Sequence, residues 1–171
     1  MQKVIRFQPI LRRITHPVFL LFCSGTFGLI LGTLFAAFAD ASVFSLMRQV
    51  SFGPVSIVVF SASQLLPFLI AAYAASISRL WLMHTVCFCK LFLFAYSGTI
   101  VWIAFDSAGW LVRSLLLFSQ ILLVPLLCWY CFRQVMHGGS QRNDLLICLG
   151  IAVITALCDC LFIAPFLAKI I

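Results

Sequence analysis

The chain has 171 residues, of which 64% are hydrophobic and 9% charged, with a net charge of +7 and a mean hydropathy of +1.20. Soluble domains carry roughly a quarter charged residues, so so apolar a chain needs lipid as its main solvent. The modest basic excess is not the dense basic face that nucleic-acid binding requires, and no nucleic-acid partner is expected.

In chain order, residues 1–16 read as a basic cytoplasmic tail carrying Lys3, Arg6, Arg12 and Arg13. Five apolar stretches then reach the roughly 20 residues that a spanning helix needs at about 1.5 Å per residue. They lie near Pro17–Ala39, Val55–Ser76, Val86–Phe105, Trp110–Phe132 and Leu145–Leu167. The expected fold is all-α, a single polytopic transmembrane bundle over 1–171 in the cell membrane, with the lipid bilayer as its surroundings. The first stretch is too long for a signal-peptide core of about 7–15 residues, so it is read as a retained helix.

Charge orients the bundle. With the N-terminus inside, Lys3, Arg6, Arg12, Arg13, Arg79, Lys90, Arg133 and Arg142 are cytoplasmic, against Arg48, Arg113 and Lys169 outside. The C-terminus is then outside. On this placement Lys90 snorkels to the inner interface.

Within the first span, Ser24, Gly28, Gly32 and Ala36 recur every four residues. This is a helix-packing or partner face of small side chains. Deep in the last span lies Asp159, about 12 Å below the outer surface by residue count. The same count puts Gln64 and Tyr96 at about 14 Å, Ser97 at about 12 Å and Gln120 at about 15 Å, with Arg113 at about 5 Å. These residues form an expected intramembrane polar layer, in which Arg113 reaches towards Asp159 and Thr155 donates to it. Pro67 and Pro125 follow Gln64 and Gln120 closely and remove backbone hydrogen bonds there. An ionisable group at this depth costs about 2.5–3.5 kcal/mol or more, so it is either structural glue or part of a proton or substrate path.

Eight cysteines are present, five of them (Cys87, Cys89, Cys128, Cys131 and Cys148) towards the inner leaflet. Reduced thiols pack as small apolar groups, and no metal or other cofactor is expected. His84 and His137 fall in loops on this reading. No phosphate-binding glycine loop, zinc-protease helix or nucleophile elbow appears, which argues against an enzyme.

Three stretches carry a family likeness: Gly28–Gly32 after the basic tail, Phe118–Leu127 with its Gln120 and Pro125, and Asp159–Lys169 with its acid, proline and lysine in order. In these the chain resembles stage II sporulation protein M. The resemblance implies a non-enzymatic membrane scaffold for engulfment during sporulation. Its implied partners are membrane-anchored cell-wall hydrolases similar to stage II sporulation proteins D and P, which remodel peptidoglycan. The segment Ala41–Gly53 is much shorter than its counterpart in the sporulation protein. The alternative reading is a small permease, or a transporter's membrane subunit, with Asp159 in a polar path.

Overall fold

The computed structural model describes residues 16–39, 42, 54–104, 109–137 and 142–167. Their regular structure is helical throughout: α1 (Pro17–Ala37), α2 (Pro54–Ser76), α3 (Leu80–Ala104), α4 (Gly109–Leu116), α5 (Phe118–His137) and α6 (Arg142–Cys158). A π-helical turn, Asp159–Ile163, then leads into the short α7 (Ala164–Leu167). Among the described residues, four helices are long and apolar enough to cross a membrane: α1, α3, α5, and α6 continued through the π turn. Helix α2 has 23 residues, about 35 Å at 1.5 Å each.

Local chemistry accounts for the helix ends. Pro17 stands at the first position of α1, where its missing N–H costs nothing, and the His16 ring accepts from the Val18 N–H at 3.3 Å. Helix α2 ends in a Schellman turn, with Arg79 N–H on the Ala74 carbonyl at 3.0 Å and Ser78 N–H on the Ala75 carbonyl at 3.2 Å. Ser78 takes the left-handed conformation, φ 53°, that this motif normally gives to glycine. Inside the helices, hydroxyls are satisfied by their own preceding turn. Thr26 donates to the Phe22 carbonyl, Thr33 to Leu29 and Thr99 to Ala95, at 2.8–2.9 Å. Such bonding lets a hydroxyl sit in a low-dielectric medium without a partner on another helix.

Contacts fix the helix directions. Gly28 lies against Phe88 and Gly32 against Phe92, so residue numbers rise together and α1 runs parallel to α3. The Schellman turn reverses α2 into α3, and Lys90 meets Gln64 across that pair. Cys87 lies beside Cys128 and Gly98 beside Leu117, so α5 is antiparallel to α3. Arg133 pairs with Asp144, so α6 reverses again. Helices α2, α3, α5 and α6 make an up-and-down bundle, and α1 packs on its outside along α3 and α5.

The bundle's inner faces follow helical spacing. On α2 they are Gln64, Phe68, Ala71 and Ala75; on α6, Asp144, Cys148, Ala152 and Ala156; on α5, Leu123, Leu127, Tyr130 and Cys131. In lipid there is no solvent drive pushing helices together, so small side chains that allow close backbone approach carry the association. The opposite faces present Phe22, Trp81, Ile154, Leu161 and Phe162, all more than 60% exposed, as a bilayer-facing surface should.

Several sequence-derived boundaries change. Helix α3 begins at Leu80, two turns before the expected Val86. The expected Trp110–Phe132 span is divided at Leu117 into α4 and α5, and α5 continues to His137. His84 therefore lies in α3, and His137 is the last residue of α5. Apolar composition marks where a helix can cross the membrane, whereas its ends depend on capping and pairing. The 1–15 tail lies outside the described residues.

Candidate functional site

The small-residue stripe of α1 is packed inside the molecule. A Cβ on Gly28 would come within 2.6 Å of the Phe88 carbonyl oxygen, and one on Gly32 would collide with the Phe92 carbonyl. Only glycine allows the two backbones this close. Phe27 and Phe35 flank the seam against Phe88 and Phe92, with ring centroids 6.1 and 5.7 Å apart. The buried face runs Leu21, Gly25, Gly28, Gly32 and Ala36. Gly25 rather than Ser24 belongs to it. Steps of four rotate the stripe by about 40° each around a 3.6-residue helix, and substituting one step of three keeps it in line. Ser24, half-buried beside the seam, bonds back to the Leu21 carbonyl at 2.9 Å.

The expected polar layer divides into two levels. In the middle of the bundle, the Lys90 ammonium donates to the Gln64 side-chain oxygen at 2.7 Å, with Lys90 7% and Gln64 1% exposed. Lys90 does not snorkel. Because α3 starts at Leu80, Lys90 lies about 15 Å from that end and faces α2. Pairing Cys87 with Cys128 and Gly98 with Leu117 puts Ser119 level with Tyr96, six residues or about 9 Å from Lys90. At this second level the buried Ser119 hydroxyl faces the Asp159 carboxylate. The second oxygen of Asp159, Oδ2, is buried with no hydrogen-bond partner among the described residues.

Arg113 does not reach Asp159. Its guanidinium lies over the Trp102 ring, 4.0 Å from the centroid, and donates to the Trp102 carbonyl at 3.3 Å. Helical bonding carries across Leu117, whose N–H meets the Arg113 carbonyl at 3.2 Å and whose carbonyl accepts from the Ile121 N–H at 2.9 Å, so it is the Trp102 ring and carbonyl that hold Arg113 away from Asp159. Thr155 also bonds elsewhere, to the Ile151 carbonyl at 2.8 Å. Tyr96 stacks on Phe92, with centroids 6.2 Å apart; Ser97 bonds back to the Phe94 carbonyl at 3.2 Å; Gln120 is half-buried in the first turn of α5. None of these three joins Asp159 in a common cluster.

Sequence reasoning missed a third polar tie, at the opposite end. Arg133 pairs with Asp144 at 3.2 Å, its guanidinium 5.3 Å from the Trp129 ring centroid. Asp144 lies in the first turn of α6, where the helix dipole favours an acid. The signal was present in the sequence, since a basic residue four positions before the end of one helix and an acid in the first turn of the next antiparallel helix come level with each other.

No family model, curated protein or solved structure matches this chain. Among the described residues, no group of three or more His, Cys, Asp or Glu side chains is placed to hold a metal ion.

Proposed function

We propose that this chain is a non-enzymatic multi-pass scaffold of the cell membrane. It would cross five times, with the N-terminus inside and the C-terminus outside. By its resemblance to stage II sporulation protein M, it would recruit or localise peptidoglycan-remodelling enzymes during engulfment. Two observations support a structural role: the buried Lys90–Gln64 pair ties α2 to α3, and Arg133–Asp144 ties α5 to α6. Groups spent on holding helices together suit a platform better than a path. The partner class rests on the likeness alone. With Gly28 and Gly32 packed on α3, a partner's helix would dock on another face.

One observation favours the alternative, a small permease or transporter subunit. Asp159 opens a π-helical turn, a feature frequent at functional sites, and keeps its Oδ2 without a partner among the described residues. The discriminating experiment is a mild-detergent affinity pull-down from native membranes, with co-purifying proteins identified by mass spectrometry, run on wild type and Asp159→Asn. Peptidoglycan hydrolases or their anchors recovered equally by both would support the scaffold. Recovery of only an ATPase or a solute-binding protein would replace it with the permease.

A further inference from the structure

The Cys87 and Cys128 thiols, on α3 and α5, lie 3.9 Å apart. All eight cysteines are free, so this is a dithiol in van der Waals contact. Both residues also line an apolar groove of about 450 Å³ between α1, α3 and α5, together with Phe22, Leu29, Trp129 and Phe132. Phe22, Trp129 and Phe132 are 74%, 40% and 44% exposed, which places the mouth of the groove on the bilayer-facing surface. Besides the thiols its lining includes the Thr26 hydroxyl, already bonded to the Phe22 carbonyl, and the Trp129 indole. Cys131 and Cys148 are fully buried in the bundle core and are not part of the groove wall.

Cys128, half-buried in the wall of an apolar, lipid-facing groove, is the thiol that a reagent dissolved in the membrane meets, with the buried Cys87 thiol directly behind it. Cys87 lies about 10 Å along α3 from Leu80, within the apolar span. Quinones combine lipid solubility with a flat ring suited to aromatic walls, and they take electron pairs from protein dithiols. We propose that Cys87 and Cys128 are a redox pair oxidised from the lipid phase by a quinone-class carrier that enters this groove. Two S–H bonds break and one S–S bond forms. The two electrons and two protons pass to the quinone oxygens, giving one quinol. The disulfide ties α3 to α5 covalently beside the α1 seam. This inference is independent of the scaffold reading.

The test uses the full chain, reduced and reconstituted in phospholipid vesicles without oxygen. A decyl-substituted benzoquinone is added, the sample is unfolded in detergent, and free thiols are alkylated and located by mass spectrometry. Eight alkylated cysteines before quinone should become six, the missing two being Cys87 and Cys128, with one quinol formed per chain. The Cys87→Ala and Cys128→Ala variants should each lose quinol formation while eluting as the wild type does, which controls for folding. Retention of all eight thiols under quinone would overturn the proposal. So would a disulfide that forms with a water-soluble diazene oxidant and not with the quinone, since it would leave the groove with no part in the reaction.

Discussion

The Lys90 ammonium and the Gln64 side-chain oxygen meet at 2.7 Å in the middle of the bundle, a cation held by a neutral partner. Removing the partner leaves a buried ammonium short of an acceptor. A hydrogen bond to a charged group is worth about 1.5–3 kcal/mol, and Gln64→Leu should destabilise the bundle by about that amount. Lys90→Met in the Gln64→Leu background should restore most of it, because replacing both partners by apolar groups removes the uncompensated charge. Reversible unfolding of the wild type, Gln64→Leu, Lys90→Met and the double variant in mixed micelles, treated as a double-mutant cycle, measures the coupling. Simple additivity would show that the pair contributes no mutual stabilisation.

The α1–α3 seam predicts a graded glycine series. Gly28→Ala and Gly32→Ala drive a methyl into backbone carbonyls, which cannot move aside without parting the helices. Each should cost about 1–3 kcal/mol as an overpacking substitution. Gly25→Ala should be milder, because the obstructing atom is the Leu91 Cδ1 at 2.7 Å, the tip of a flexible side chain. Gly150→Ala meets nothing within 4 Å and should stabilise α6 by about 0.5–1 kcal/mol, the usual gain in a helix interior. Thermal unfolding in one detergent ranks all four. Equal losses at Gly25 and Gly28 would contradict the close carbonyl approach.

Ser78 holds a left-handed conformation that disfavours a side chain by about 1–2 kcal/mol. Ser78→Gly should therefore raise stability by up to about 1 kcal/mol, and Ser78→Val should lower it by more. The same unfolding assay reads both. A destabilising Ser78→Gly would show that the serine side chain, rather than the backbone turn, matters there.

Because α2 and α6 run in opposite directions, residues just before their starts belong at opposite ends of the bundle. With the N-terminus inside, a membrane-impermeant thiol reagent applied to intact cells should label a cysteine placed at Ser51 and spare one placed at Ser140. The reverse pattern would invert the orientation, and labelling of both would break the alternation of the bundle.

The helical class and the small-residue face of α1 were legible in the sequence because they depend on composition and short-range spacing. The lateral pairing of polar residues was not. Depth counting placed Gln64 level with Tyr96, whereas the α2–α3 turn at Ile77–Arg79 sets Gln64 opposite Lys90. Starting α3 at Val86 made Lys90 an interfacial residue; starting it at Leu80 carries the same residue to the centre. Depth and helix face point Arg113 at Asp159, whereas the Trp102 ring and carbonyl are what hold it. Apolar runs report which segments enter the membrane, and turns and helix ends decide which of their polar groups meet.

The parallel seating of α1 on α3 has a consequence for biosynthesis. Gly28 and Phe88 are sixty residues apart in the chain, so at about 5–20 residues per second α1 waits roughly 3–12 s for its partner to be made. During that interval its glycine stripe faces lipid or the insertion machinery. Helix α1 carries no charged residue from Pro17 to Ala37, so it can remain in the bilayer alone, and α2 must bring the chain back across before the seam closes. Substitutions at Gly28 and Gly32 therefore act on a late step of assembly: the newly made chain inserts normally, and the defect appears only when α3 arrives and finds α1 unable to dock.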